Sequence, residues 1–156
     1  MSNDQKLTRQ MINDALGKKI SSKEFIAITD ILGEPEIRTD IESDITDYSW
    51  DNYGIDIVIN HEDETFDNIV LYPYGSTSEF EYIYDQKSCT PICKENDFEE
   101  NITMQEVREK YGKPDAEGDS HRGHTLSYWD LDGYEIYFTF SDKSKLFAIL
   151  IGIRSN

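Results

Sequence analysis

Apolar and polar positions alternate with a helical period and then a strand period, and this order occurs twice along the chain. Phe25, Ile28 and Leu32 share one side of a helical wheel, and Met104, Val107 and Tyr111 repeat that spacing further on. Each stretch runs into Gly-x-Pro, at Gly33-Glu34-Pro35 and at Gly112-Lys113-Pro114. Glycine supplies a backbone conformation that ends a helix, and the proline beyond it cannot continue one. Capping-box patterns open both, Ser21-x-x-Glu24 and Thr103-x-x-Glu106. A further N-terminal helix, with Leu7, Met11 and Leu16 on one side, is expected to stop at Gly17.

After each Gly-x-Pro the pattern predicts a polar loop and then a strand meander. First strands read from Asp47 to Asp51 and from Thr125 to Asp130. The tetrapeptides Asp51-Asn52-Tyr53-Gly54 and Asp130-Leu131-Asp132-Gly133 have the composition of hairpin turns. Second strands run from Ile55 to His61 and from Tyr134 to Phe140. Third strands run from about Asn68 to Tyr74 and from about Leu146 to Ile153. One more strand, Phe80 to Tyr84, is expected after the turn at Gly75.

These two series superpose without a gap at a shift of 79 positions. Gly33 falls on Gly112, Pro35 on Pro114, Trp50-Asp51 on Trp129-Asp130, Gly54 on Gly133 and Ile57 on Ile136. The chain has two tryptophans, and both sit at the same place in this register. The expected fold is therefore α+β: two tandem helix-plus-antiparallel-meander units forming one continuous, curved antiparallel sheet with helices on one face. The first unit takes residues 1–85, a linker takes 86–100, and the second unit takes 101–156.

An even-membered hairpin loop keeps its flanking residues on the same sheet face. That places Trp50 with Ile55, Ile57 and Ile59, and Trp129 with Tyr134, Ile136 and Phe138, on a strongly apolar face for the helices to cover. Both tryptophans are thus expected in the core. The opposite face should carry Asp51, Asp56, Val58 and Asn60 from the first unit, and Tyr128, Asp130, Glu135, Tyr137 and Thr139 from the second. The same parity in the third strands adds Val70, Tyr72, Tyr74, Ile149 and Ile151. Tyrosines interleaved with carboxylates on a helix-free surface suit protein binding, because tyrosine offers contact area at low entropy cost. The candidate partner-binding residues are Asp51, Asp56, Tyr72, Tyr74, Tyr128, Asp130, Glu135 and Tyr137.

Charge sharpens this picture. With 32 acidic against 15 basic residues the formal charge is -17, which repels phosphate backbones and anionic bilayers and attracts a basic protein. No apolar run is long enough to span a membrane, and the N-terminus lacks the apolar core of a signal peptide, so a cytoplasmic protein is expected. Candidate chemistry is sparse. Cys89 and Cys93 lie in one proline-containing loop without a second ligand cluster, and His121-Arg122-Gly123-His124 stands alone in a glycine-containing loop. No phosphate-binding loop, dinucleotide fingerprint or nucleophile elbow occurs. Neither catalytic residues nor a metal or cofactor are expected.

One stretch carries a family resemblance. Ile102-Thr103-Met104-x-x-Val107-x-x-x-Tyr111-Gly112-x-Pro114, followed by Tyr128-Trp129 and a meander, resembles the repeat of β-lactamase inhibitory protein, a unit also found in SmpA/OmlA lipoproteins. The resemblance implies tandem helix and meander units whose sheets join into one curved, open-faced binding surface. Combined with the acidity and the leaderless start, it implies an immunity protein that occludes a cognate basic toxin or enzyme. The alternatives are an assembly adaptor of the SmpA/OmlA type or an inhibitor of another enzyme.

Overall fold

The computed structural model describes residues 5–40, 45–75, 86–120, 123–141 and 145–154. The strand expected from Phe80 to Tyr84 lies outside these residues, as does His121.

Among the described residues three helices form. The second and third lie where the apolar spacing places them, whereas the first is shorter than expected. Leu7 lies outside it in a bridge to Cys93, Leu16 is its C-cap, and Ile12 and Ala15 are its buried side. Helix α1 (Arg9–Ala15) is capped by Thr8, whose hydroxyl accepts from Met11 N. Helix α2 (Lys23–Leu32) is capped by Ser22, whose Oγ accepts from Phe25 N. Ser21 is therefore not the cap expected from the sequence, and Glu24 pairs instead with Lys18 at 3.0 Å. Helix α3 (Met104–Tyr111) does carry its capping box, with Thr103 Oγ1 accepting from Glu106 N and Glu106 Oε1 accepting from Thr103 N. Gly33 and Gly112 end α2 and α3 in the same conformation, φ 81° ψ -158° and φ 82° ψ -160°, which glycine alone enters freely.

Among the described residues eight strands make one open antiparallel sheet: β1 (Glu36–Asp40), β2 (Ile45–Trp50), β3 (Ile55–Asn60), β4 (Thr65–Leu71), β5 (Ala116–Ser120), β6 (Gly123–Leu131), β7 (Tyr134–Phe140) and β8 (Leu146–Ile153). Their spatial order is β1-β2-β3-β4-β8-β7-β6-β5, with β4 and β8 pairing at the centre. The fold class is thus α+β with a single curved sheet. Strands β1 and β5 stand where polar loops were expected. They are five-residue edge strands, and their sequences, EIRTD and AEGDS, have too little apolar alternation to announce a strand.

All three helices contact the same side of the sheet. Phe25 of α2 meets Phe66 of β4 edge-on at 5.5 Å, Tyr111 of α3 stacks on Phe138 of β7 at 5.9 Å, and Asn13 O of α1 accepts from the Tyr134 hydroxyl. The inward-facing strand residues Ile55, Ile57, Ile69, Leu71, Ile136, Phe138, Ile149 and Ile151 are buried with the helices in one cluster. Segment 86–100 joins that cluster through Cys89, Cys93 and Phe98, and Cys93 bridges to Leu7.

The two hairpins that looked alike in sequence differ in geometry. After Trp50 the chain makes a 3-10 turn, Asp51–Tyr53, and Gly54 closes it in the left-handed conformation, so Trp50 pairs with Ile55. In the other hairpin the loop is only Asp132 and Gly133, both with positive φ, so Leu131 pairs with Tyr134. A bulge between Tyr128 and Leu131 absorbs the difference, and Tyr128 pairs with Ile136.

This bulge overturns two expectations. Trp129 is turned outward and is 48% exposed, while Trp50 is 4% exposed. Tyr128, placed on the outer face by the sequence, is 2% exposed and faces the helices. The Tyr128 hydroxyl donates to Gly112 O at 2.8 Å, just as Trp50 Nε1 donates to Gly33 O at 3.0 Å. Tyr128 thus makes to the end of α3 the contact that Trp50 makes to the end of α2. A third correction concerns β8: because Leu71 pairs with Ile149, Ile149 and Ile151 point into the core and Leu150 points away from it.

Candidate functional site

The sheet face opposite the helices is built by register. One line of paired residues crosses all eight strands, Glu36, Ser49, Asp56, Val70, Leu150, Tyr137, Ser127 and Ala116. A second runs beside it through Arg38, Asp47, Val58, Asn68, Gly152 and Glu135. The centre is apolar, with Val58, Val70 and Leu150 half-buried among their neighbours. Carboxylates and tyrosines flank it on both sides.

On one flank Asp56 collects donors. Gln86 Nε2 donates to Asp56 Oδ1 at 2.8 Å and the Tyr72 hydroxyl reaches Asp56 Oδ2 at 3.5 Å. Gln86 and Tyr72 are each 8% exposed, so Tyr72 can meet a partner only through its neighbourhood, not with its ring face. Burial pushes the Asp56 carboxyl above its ordinary value; hydrogen bonds from Ser49 and Gln86 oppose this, and the charges of Asp51 and Asp47 add to it. On the other flank the Tyr137 hydroxyl donates to Glu135 Oε2 at 3.2 Å, and burial followed by the Glu135 charge pushes the phenol up.

Of the eight residues expected here, the fold places four on this face as two separate pairs, Asp56 with Tyr72 and Glu135 with Tyr137, on either side of Val70 and Leu150. Asp51 sits in the 3-10 turn and pairs with Arg38 at 3.1 Å. Asp130 lies in the bulge and pairs with Arg154 at 3.2 Å. Tyr74 is past the end of β4, 55% exposed, with Lys145 Nζ 5.5 Å from its ring centroid. Tyr128 belongs to the core. Sequence reasoning missed Gln86, because nothing local reveals that a residue thirty positions away closes over Asp56, and it missed Leu150.

Asp56 carries a testable cost. A carboxyl whose folded pKa is raised keeps its proton longer in the native state than in the unfolded one. Stability therefore falls as pH rises from 3.8 through the raised value and stays lower above it. Asp56→Asn is expected to raise the urea midpoint at pH 7. The gain should vanish at pH values well below 3.8, where aspartate is protonated in both states.

Other ionisable groups pair across neighbouring elements. His124 Nδ1 lies 2.6 Å from Asp119 and its Nε2 lies 2.9 Å from Glu117, and these two carboxylates, Asp119 first, push the imidazole up. Arg108 of α3 and then His124 hold Glu117 at about 2, which ties edge strand β5 to α3 and β6. Cys89 and Cys93 are free and buried, and the hydrogen bond that the Cys93 thiol makes to Cys89, with burial, pushes that thiol up. Among the described residues no group of three or more His, Cys, Asp or Glu side chains is arranged to hold a metal ion, and no helix is long and apolar enough to cross a membrane.

No known family model matches the chain, and no curated protein matches it in sequence. Among solved structures, it is similar to a cysteine-rich secretory protein from Staphylococcus aureus, with a TM-score of 0.56 and 7% identity over 96% of this chain and 46% of that one. This chain spans about half the length of that protein, and the likeness is one of fold. A DUF4309 family protein, YjgB, from Bacillus subtilis gives a TM-score of 0.49 at 14% identity, over 88% of this chain and 82% of that one.

Proposed function

We propose that this chain is a stoichiometric protein-binding module, a duplicated αβ unit that uses the helix-free sheet face to occlude a basic protein. The reading extends to an immunity protein against a toxin or enzyme, acting in the cytoplasm without chemistry of its own. One observation carries it: an apolar centre of Val58, Val70 and Leu150 is flanked by Asp56, Glu135 and Tyr137 on the side of the sheet that the described helices leave bare. On a chain of charge -17, such a surface favours a cationic partner and speeds its encounter. An interface of about 1,600 Å² with a few aromatic anchors would suffice.

Affinity capture from the host lysate tests this reading with matched variants. Wild-type protein should retain a basic protein at low ionic strength and release it as salt rises. The double variant Glu135→Lys/Tyr137→Ala should lose that protein, and Ile26→Lys, on the 44% exposed outer side of α2, should keep it. Retention indifferent to the face variant, or loss caused by the helix variant, would overturn the proposal.

A further inference from the structure

Indole is the largest apolar side chain, and a folded chain ordinarily buries it. Here a bulge turns Trp129 out of the core and a smaller ring, that of Tyr128, fills the inward position. The displacement is built in from both sides. Asp115 Oδ2 accepts from Trp129 N at 2.8 Å while Asp115 N donates to Ser127 O at 2.9 Å. On the other side Asp130 Oδ1 accepts from Gly133 N at 3.0 Å, which fixes the two-residue turn that makes the bulge necessary. Bulges of this kind re-aim a side chain.

The register shows where Trp129 is aimed. Tyr128 pairs with Ile136 and Leu131 with Tyr134, which leaves Trp129 and Asp130 together opposite Glu135. Trp129 is two residues beyond Ser127, which faces outward opposite Tyr137. It therefore extends the tyrosine and carboxylate flank of the face opposite the described helices, with Asp115, Asp130 and Glu135 around it in sequence and register. One of these carboxylates already accepts a guanidinium: Arg154 Nη1 lies 3.2 Å from Asp130 Oδ2, with both side chains about half exposed.

We propose that Trp129 is the aromatic anchor of the binding face and that it receives an arginine side chain of the partner, stacked on the indole and paired with the surrounding carboxylates. This rests on the protein-binding reading and adds the chemistry of its central contact. An indole face is the best of the aromatic cation acceptors. A planar guanidinium can stack and pair with a carboxylate at once, which an ammonium cannot. Tryptophan and arginine are also the residues most enriched among dominant interface contacts.

The test uses the two indole N–H resonances of ¹⁵N-labelled full-length protein, with the Trp129 signal assigned by its loss in Trp129→Phe. The probe is an acetylated, amidated tri-arginine peptide, with tri-lysine as the charge-matched control. The Trp129 signal should shift and saturate, at least about threefold more tightly for arginine than for lysine. The Trp50 signal, hydrogen-bonded inside the core, should stay in place. Trp129→Ala should weaken capture of the basic partner at least about tenfold, and Trp129→Phe by less. An unmoved Trp129 signal, or equal affinity for the two peptides, would overturn the proposal. If Trp129→Ala keeps the partner while Glu135→Lys/Tyr137→Ala loses it, the anchor is refuted and the face stands. If both keep it, the face falls as well.

Discussion

Trp50→Ala is expected to cost about 3–5 kcal/mol of stability, the range for deleting a large buried aromatic, whereas Trp129→Ala should cost within about 0.5 kcal/mol. The two residues share a residue type and a position in the internal register, so sequence alone would assign them the same effect. Trp50 is 4% exposed, lies 6.4 Å from the Tyr48 ring, and donates to the carbonyl that ends α2. Removing it leaves a cavity between α2 and β2 and takes the indole donor from the Gly33 carbonyl. Trp129 is half in solvent, and its structural hydrogen bond is made by the backbone, which alanine keeps. Urea titrations followed by far-ultraviolet circular dichroism measure both costs. Comparable losses at the two sites would mean that the bulge is not where the fold places it.

Gly54→Ala should destabilise the protein by about 2–4 kcal/mol, combining left-handed strain with overpacking against backbone. Gly54 has φ +60°, and a Cβ there would overlap Lys87 O, with Cys89 N also within 3.1 Å. The overlapped segment is tied down, because Lys87 N donates to Asp51 O and Cys89 N to Tyr72 O. Relief requires segment 87–89 to move away from the β2–β3 turn, and Gln86 would move with it, off Asp56. Amide exchange at Lys87 and Cys89 should therefore quicken by more than the global loss of stability explains. Gly118→Ala, with ordinary φ and nothing within 4 Å, should change stability within about 0.5 kcal/mol. Equal effects at Gly54 and Gly118 would contradict the close approach.

Much of the fold is legible in the sequence because period and punctuation agree. The i, i+3, i+7 spacing from Phe25 and the glycine at Gly33 give α2 nearly to the residue, and the alternation through β3 and β7 assigns their faces correctly. Edge strands β1 and β5 are illegible for a physical reason: an edge selected against aggregation carries charges and glycine in place of alternating hydrophobics. The bulge at Trp129 hides in the gap-free register, because one hairpin spends its residues on a 3-10 turn and the other on a bulge plus a two-residue turn. A clue is present in the chain. Leu126 and Tyr128 continue one parity, and Leu131 breaks it just before Asp132-Gly133, a pair that favours a two-residue loop. Gln86 over Asp56 has no such clue, since its placement is a tertiary contact.

Hydroxyl-radical footprinting of the captured complex, read by mass spectrometry, tests most directly which face meets the partner. Tyr137 and Trp129 should be protected when the basic protein is bound, while Ile26 on α2 and Met104 on α3 should label as they do in the free protein. Protection confined to the helix side, with Tyr137 and Trp129 labelling unchanged, would contradict binding through the sheet face opposite the described helices.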